Sequence, residues 1–225
     1  MNSQATTSIP DTLGAREDTR TVDEMPLLEV MREDAHAALE RDPSANSIWD
    51  IVFFSTGTHI VWAYRRHHWL YTHGMKGLAL FLAKRTRRKL GADVFPSAQI
   101  GRRFSVDHGI GVVIGATSII GDDCLIYQGV TLGMTGKHGG KRHPTLGSNV
   151  MVGAGAIVLG DITVGDNAKI AAGSVVVYDV PHDVTVAGVP AKVVRDRRFT
   201  GPRLVEDDFD PTKLDDENVR WSCAL

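Results

Sequence analysis

An aliphatic residue returns every six positions through the middle of this chain, and that spacing limits what it can fold into more than any other feature. One series is Val94, Ile100 and Val106, and a second is Ile114, Ile120, Ile126 and Leu132. A third is Leu146, Val152, Val158, Val164, Ile170 and Val176, in phase over six members. Six is neither the helical period nor the two-residue period of a lone strand. It is the period of a repeat that supplies one short strand and one turn, three repeats closing one triangular coil of a parallel β-helix. The aliphatic then points inward and stacks on its equivalents in neighbouring coils. Glycine follows it at 101, 115, 121, 133, 147, 153 and 165, where a small residue turns the backbone without steric cost.

The phase breaks carry more information about function than the repeat. Val106 and Ile114 are eight residues apart, and Leu132 and Leu146 fourteen, which reads as two repeats plus two. Insertions in a solenoid become loops on one face, often the binding face. The first break holds Asp107 to Gly111 (D-H-G-I-G), and the second Gly133 to Pro144 (G-M-T-G-K-H-G-G-K-R-H-P). His108, His138 and His143 lie in these interruptions.

Around the repeat the chain changes character. Residues 1–22 are polar and aperiodic and read as a tail. Residues 23–91 read as a helical domain. A first helix starts at Asp23 as N-cap, with Pro26 in its first turn, and stops before Asp42-Pro43. A short apolar segment covers Ile48–Phe54, and Gly57 breaks the pattern. Further helices cover His59–Tyr71, with His67 and His68 as packing or surface residues, and Leu78–Leu90, with Gly91 as C-cap. The β-helix occupies residues 92–195, and an acidic tail, residues 196–225, ends in the apolar Trp221–Leu225. The fold class is therefore α+β, a helical domain followed by a parallel β-helix.

Net charge is −2, so no nucleic-acid or anionic-membrane partner is expected. The basic run Lys84–Lys89 suits the C-terminal end of its helix dipole. No signal peptide and no membrane-spanning apolar run is read. Cys124 and Cys223 show no metal or redox spacing, and Cys124, beside the inward series, reads as a buried reduced thiol in a reducing, cytoplasmic setting.

A β-helix face is flat, so a cleft needs walls from the two loops and from a neighbouring subunit. The candidates there are Asp107, His108, His138, Arg142 and His143. A histidine base works best beside a carboxylate that orients it. Asp93 is such a partner, because fifteen residues separate it from His108, close to one coil of eighteen. Arg142 can grip a carboxylate through two parallel bonds, and Gly133–Gly140 can bring backbone amides to a ligand.

These residues also carry a family resemblance. The chain resembles the serine O-acetyltransferases, hexapeptide-repeat acyltransferases, over residues 30–195. The match rests on R-E-D and E-R-D-P (Arg32–Asp34, Glu40–Pro43), A-Y-R-R-H-H-W-L, D-V-F-P-S-A-Q-I-G, V-D-H-G-I-G-V-V-I-G, Y-Q-G-V-T-L-G-M-T-G-K-H-G-G-K-R-H-P and A-G-V-P-A-K-V-V. The resemblance implies a left-handed coil, an exception to the usual crossover rule. It implies acetyl transfer from acetyl-CoA to the hydroxyl of L-serine, giving O-acetylserine and CoA for cysteine biosynthesis, with no metal and no acyl-enzyme. By motif position His108 would be the general base and Asp93 its orienting partner. Asp42 and Asp107 would hold the serine ammonium, and Arg142 and His143 its carboxylate. Coenzyme A would lie in a groove between adjacent β-helices, against Thr135, Gly136, Gly153, Ala154, Ala172 and Gly173, with Lys169 and Lys192 for phosphates. The assembly would be a homotrimer or a dimer of trimers.

The chain departs from the family pattern at Met134, where a second glycine is usual, and at Ala116, where glutamate is common. Its last residue is Leu225, where the family tail often ends in isoleucine and enters the active site of O-acetylserine sulfhydrylase. Competing readings are an O-acetyltransferase for another hydroxyl, such as homoserine or a sugar, a metal-dependent β-helix enzyme of the γ-carbonic anhydrase type, and a non-catalytic scaffold.

Overall fold

The computed structural model describes residues 20–136 and 139–197. After a short 3-10 turn, Val22–Glu24, come four helices: α1 (Leu27–Arg41), α2 (Ile48–Phe54), α3 (Thr56–Thr72) and α4 (Lys76–Leu90). Pro26 precedes α1 as its N-cap instead of lying in its first turn. Asp42 ends α1, because a residue before proline avoids helical backbone. The apolar segment at 48–54 is α2, started by Ser47, whose hydroxyl accepts the Asp50 N–H. Gly57 does not break a helix; it sits in the first turn of α3, which Ser55 caps. The lost Cβ serves packing there, since a methyl would stand 1.8 Å from the Val106 carbonyl oxygen. Gly91, at φ 71°, ends α4.

Fifteen strands follow: β1 (Asp93–Val94), β2 (Gln99–Ile100), β3 (Ser105–Val106), β4 (Val113–Ile114), β5 (Ile119–Ile120), β6 (Leu125–Ile126), β7 (Thr131–Gly133), β8 (Thr145–Leu146), β9 (Met151–Val152), β10 (Ile157–Leu159), β11 (Thr163–Val164), β12 (Lys169–Ile170), β13 (Val175–Val176), β14 (Val184–Gly188) and β15 (Ala191–Asp196). They form three faces of a left-handed prism: β1-β4-β7-β10-β13, β2-β5-β8-β11, and β3-β6-β9-β12-β14, with β15 added antiparallel to β14.

All thirteen members of the six-residue series are buried, none above 8% exposed. A second inward series, two residues earlier in each repeat, includes Ala98, Phe104, Val112, Cys124, Val130, Val150, Ala156 and Ala168. It has the same period but smaller, mixed residue types, so it is less visible in the sequence. Cys124 belongs to it: its thiol lies 3.1 Å from the Gly147 carbonyl, and burial pushes its pKa up to about 12.

The register measures the insertions. Gln99 pairs with Ile119, Ile119 with Thr145 and Thr145 with Thr163, steps of 20, 26 and 18 residues. The plain coil is the last, so the first break adds two residues and the second adds eight. β7 passes directly to β8 on the next face, so the fourteen-residue interval is one repeat plus an eight-residue loop, not two repeats plus two. An aliphatic count cannot separate these readings, because the loop lacks the inward residue that would mark an extra strand.

The first coil has no coil above it, so its outward carbonyls lack ladder partners, the usual exposure of a sheet edge. The helices supply them. Tyr64 donates its hydroxyl to Ala98 (2.7 Å), His68 donates from Nδ1 to Pro96 (2.8 Å), and Arg65 donates to Ile100 (2.7 Å) and Gly101 (2.6 Å). Arg65 is held in turn by Asp34 through two bonds of 2.9 and 3.0 Å, both residues being buried. Ile60, Val61 and Tyr64 join the hydrophobic core of the prism. The helical segment thus caps the β-helix and lies beside its first insertion.

Candidate functional site

The two insertions lie on different edges of the prism. The turn holding Asp107 and His108 joins the third face to the first, between β3 and β4. The loop holding Thr135, Gly136, Arg142 and His143 joins the first face to the second, between β7 and β8.

At the first edge His108 has φ 58°, in the left-handed region a side chain rarely adopts. Glycines at 109 (φ 86°) and 111 (φ 79°) complete the tight excursion, and a Cβ at 109 would meet Ile60 Cδ1 at 2.5 Å. The imidazole is exposed, with Nε2 3.8 Å from Asp107 Oδ1. Strained backbone that holds a titratable ring in the open is a pattern of functional sites.

The helical segment brings Asp42 to the same edge. Arg41, the last residue of α1, donates to the Arg103 carbonyl (2.7 Å), Ser105 Oγ (2.7 Å) and the Asp123 carbonyl (3.1 Å), which pins the helix end to the first two coils. Asp42, the next residue, shares a hollow with Asp107, Ser105, Ser55 and Ile51. Its carboxylate accepts the Ser44 hydroxyl (2.6 Å) and N–H (2.8 Å), and these bonds hold its pKa below the usual range, with His108 adding a small pull in the same direction.

Asp93 borders the His108 turn through the backbone. Its N–H donates to the Val112 carbonyl (2.8 Å), and Gly111 donates to Gly91 (2.8 Å). The coil is twenty residues long from Asp93, so Asp93 pairs with Val113, five residues beyond His108; even a plain coil of eighteen would have carried it past His108. Its carboxylate engages Arg87 at 3.0 Å, and no hydrogen bond joins it to His108 among the described residues.

At the second edge His143 is 7% exposed, its ring packed on Gly115, where a Cβ would lie 1.9 Å from Cδ2. Thr117 Oγ1 stands 2.8 Å from His143 Nδ1. Burial lowers the His143 pKa, and the charges of Arg142 and Lys141 lower it further. Arg142 donates to the Gly140 carbonyl (3.1 Å). Lys141 bridges the His143 carbonyl and Asp161 (3.4 Å to the carboxylate). His138 lies outside the described residues.

The residues read as coenzyme contacts divide among the edges. Gly153, Ala154, Ala172 and Gly173 stack at the His108 edge, two and three coils below it, where Gly173 donates to the Ala154 carbonyl (2.9 Å). Gly153 is demanded by packing, since a Cβ would lie 2.6 Å from the Ala172 nitrogen, whereas Gly173 faces open space. Thr135 and Gly136 belong to the other edge, with Thr135 against Gly160. Lys169 starts β12 and Lys192 lies in β15, both on the third face. Sequence reasoning missed Arg41 and Thr117, one polar residue beside each candidate pair: Arg41 sits inside E-R-D-P, but its role depends on bonds to distant coils, and Thr117 lies in no motif. Among the described residues no three His, Cys, Asp or Glu side chains are grouped to hold a metal ion, and no helix is long and apolar enough to cross a membrane. Cys223 and the C-terminal tail are outside the described residues.

One edge thus carries an exposed histidine near two carboxylates, and the other a guanidinium beside a buried imidazole. Comparison with known proteins gives this arrangement a context. The bacterial transferase hexapeptide (six repeats) family matches residues 143–177. A serine acetyltransferase of Mycobacterium tuberculosis (strain ATCC 25618 / H37Rv) is 49% identical over 168 residues, covering 75% of this chain and 73% of that protein. The crystal structure of Neisseria gonorrhoeae serine acetyltransferase superposes with a TM-score of 0.74 at 45% identity, over 76% of this chain and 65% of that one. The same enzyme has been crystallised in complex with serine. Serine acetyltransferase from Brucella abortus strain S19, in complex with coenzyme A, gives a TM-score of 0.73 at 44% identity, over 75% of this chain and 68% of that one.

Proposed function

This chain belongs to the serine acetyltransferase family, and we propose that its two prism edges divide that family's reaction between them. The protein transfers acetyl from acetyl-CoA to the hydroxyl of L-serine, giving O-acetyl-L-serine and CoA, in the direction of cysteine biosynthesis. Acetyl-CoA is a co-substrate.

His108 acts as general base, taking the serine hydroxyl proton as that oxygen attacks the thioester carbonyl, a contribution of about 10²–10⁴-fold. The thioester C–S bond breaks as the tetrahedral adduct collapses, and CoA leaves with the proton. Asp42 and Asp107 accept the substrate ammonium, while Arg142 and His143 take its carboxylate. Asp93 orients His108 after exchanging its contact with Arg87. The coenzyme lies along the edge of Gly153, Ala154, Ala172 and Gly173, with Thr135 and Gly136 on the facing loop and Lys169 and Lys192 near its phosphates. The meeting of Asp42, brought by α1, with Asp107 and His108 at one edge carries this assignment. The Arg142–His143 pair sits on another edge of the same prism, so a neighbouring protomer completes each site, and the protein works in the cytoplasm as a homotrimer or a dimer of trimers. The C-terminal tail ending in Leu225 is proposed to dock on O-acetylserine sulfhydrylase.

The test is CoA thiol release by the purified protein, with L-serine, L-homoserine and simple alcohols as acceptors, alongside His108→Ala. Serine-dependent release that His108→Ala lowers by about 10²-fold or more is expected. Equal turnover by the variant removes the base assignment, and a preference for another acceptor removes the substrate.

A further inference from the structure

One residue outside the candidate set bonds to both Arg142 and His143. Thr117 lies in the turn between β4 and β5, directly under the returning end of the eight-residue loop. Its Oγ1 accepts the backbone N–H of Arg142 (3.1 Å) and of His143 (3.2 Å), and stands 2.8 Å from His143 Nδ1. A hydroxyl has two lone pairs and one proton. Both lone pairs are taken by N–H donors, so the proton is left for Nδ1. The Thr117 N–H also points to Nδ1, at 3.3 Å. An imidazole nitrogen that receives two donors is bare, so the ring's proton is on Nε2. Nε2 has no hydrogen-bond partner among the described residues.

Two further observations fix the ring. Gly115 leaves no room for a Cβ between the coil and the Cδ2–Nε2 edge, so the ring sits directly against the backbone. Lys141 holds the His143 carbonyl and is itself tied to Asp161. The loop therefore returns to the prism with both the backbone and the tautomer of His143 decided by neighbours.

We propose that Thr117 is a positioning residue for substrate binding: it holds His143 as the Nε2–H tautomer and sets the backbone of Arg142 and His143, so that this edge offers one oriented N–H beside a guanidinium to the substrate carboxylate. The proposal rests on the reading of Arg142 and His143 as the carboxylate-binding pair. It predicts an effect on the amino-acid substrate and little on the coenzyme, since among the described residues the side chain of Thr117 bonds only to those two.

The experiment uses full-length Thr117→Val and Thr117→Ser, valine keeping the shape without the hydroxyl. Losing the oriented contacts is expected to raise KM for L-serine about 10-fold with little change in kcat or in KM for acetyl-CoA, and Thr117→Ser to restore it. Nitrogen-15 spectra of histidine-labelled protein, with the His143 signals identified by their loss in His143→Gln, are expected to show Nδ1 bare in the wild type and in Thr117→Ser. In Thr117→Val they are expected to show a mixture of tautomers. A protonated Nδ1 in the wild type overturns the proposal whether or not Thr117→Val folds. An unchanged KM for serine alongside a changed tautomer overturns its role in binding. If the wild type does not acetylate serine, the functional reading fails while the spectra still decide the tautomer.

Discussion

Replacing Asp34 with asparagine tests how the helical segment is held on the prism. Asp34 is 1% exposed and Arg65 2%. Asp34 Oδ2 accepts from Arg65 Nε (2.9 Å), while Oδ1 accepts from Arg65 Nη2 (3.0 Å) and from the Phe104 N–H (3.1 Å). Both oxygens are therefore acceptors of N–H donors, and asparagine must turn an NH₂ toward one of them. The variant leaves the buried guanidinium without its counter-charge and one donor facing another. Removing one partner of a buried pair costs about 3–5 kcal/mol. At about 2–4 °C per kcal/mol for a chain of this size, the melting temperature falls by roughly 6–20 °C. Thermal unfolding followed by circular dichroism reads this directly. Asp34→Leu with Arg65→Met removes both charges but also orphans the Ile100 and Gly101 carbonyls and the Phe104 N–H, so no recovery is expected from it. A single variant melting within about 2 °C of the wild type refutes the reasoning.

Three further outcomes follow from the same geometry. Burial pushes the His67 pKa down to about 4, so between the ordinary histidine value and about 4 the unfolded chain binds a proton that the fold refuses. Stability is therefore complete above about pH 6.5 and falls as pH drops toward 4, by at most about 3 kcal/mol, and urea titrations of His67→Gln are expected to show a flatter profile. Gly57→Ala places a methyl 1.8 Å from the Val106 carbonyl oxygen, next to Asp107, so a loss of about 3 kcal/mol in denaturant titrations is expected with a raised KM for serine. Gly115→Ala drives the His143 ring off its seat, and a larger rise in KM for serine than in KM for acetyl-CoA is expected in steady-state assays.

The six-residue period made the prism legible because each inward position sees the same surroundings on every coil, so one aliphatic type recurs there. The second inward series was harder to see: Ala98, Phe104 and Cys124 fill the same kind of place with different volumes. Gly57 reads as a breaker in the sequence, because only the Val106 carbonyl packed against it shows why a helix needs glycine there. The sequence places the loop at 133–144 but cannot divide it, since only strand pairing shows which face Leu146 joins.

The candidate residues were named from motif position, while their surroundings came from packing. Asp93 borders the His108 turn, but its carboxylate is on Arg87, a contact set by the end of α4. Thr117 acquires its meaning only through bonds to residues 25 and 26 positions away, and Arg41 through bonds to residues 62 or more away.

The sequence by itself determined the coil, its inward residues and the two places where the period fails, because a repeat is a local rule applied many times. Only the tertiary structure decided that the failures fall on different edges, that α1 delivers Asp42 to one of them, and that Thr117 sets the tautomer at the other. Those outcomes depend on how many residues each insertion adds to a turn of the prism and on which side chains reach the first coil's unpaired carbonyls. No local pattern encodes either.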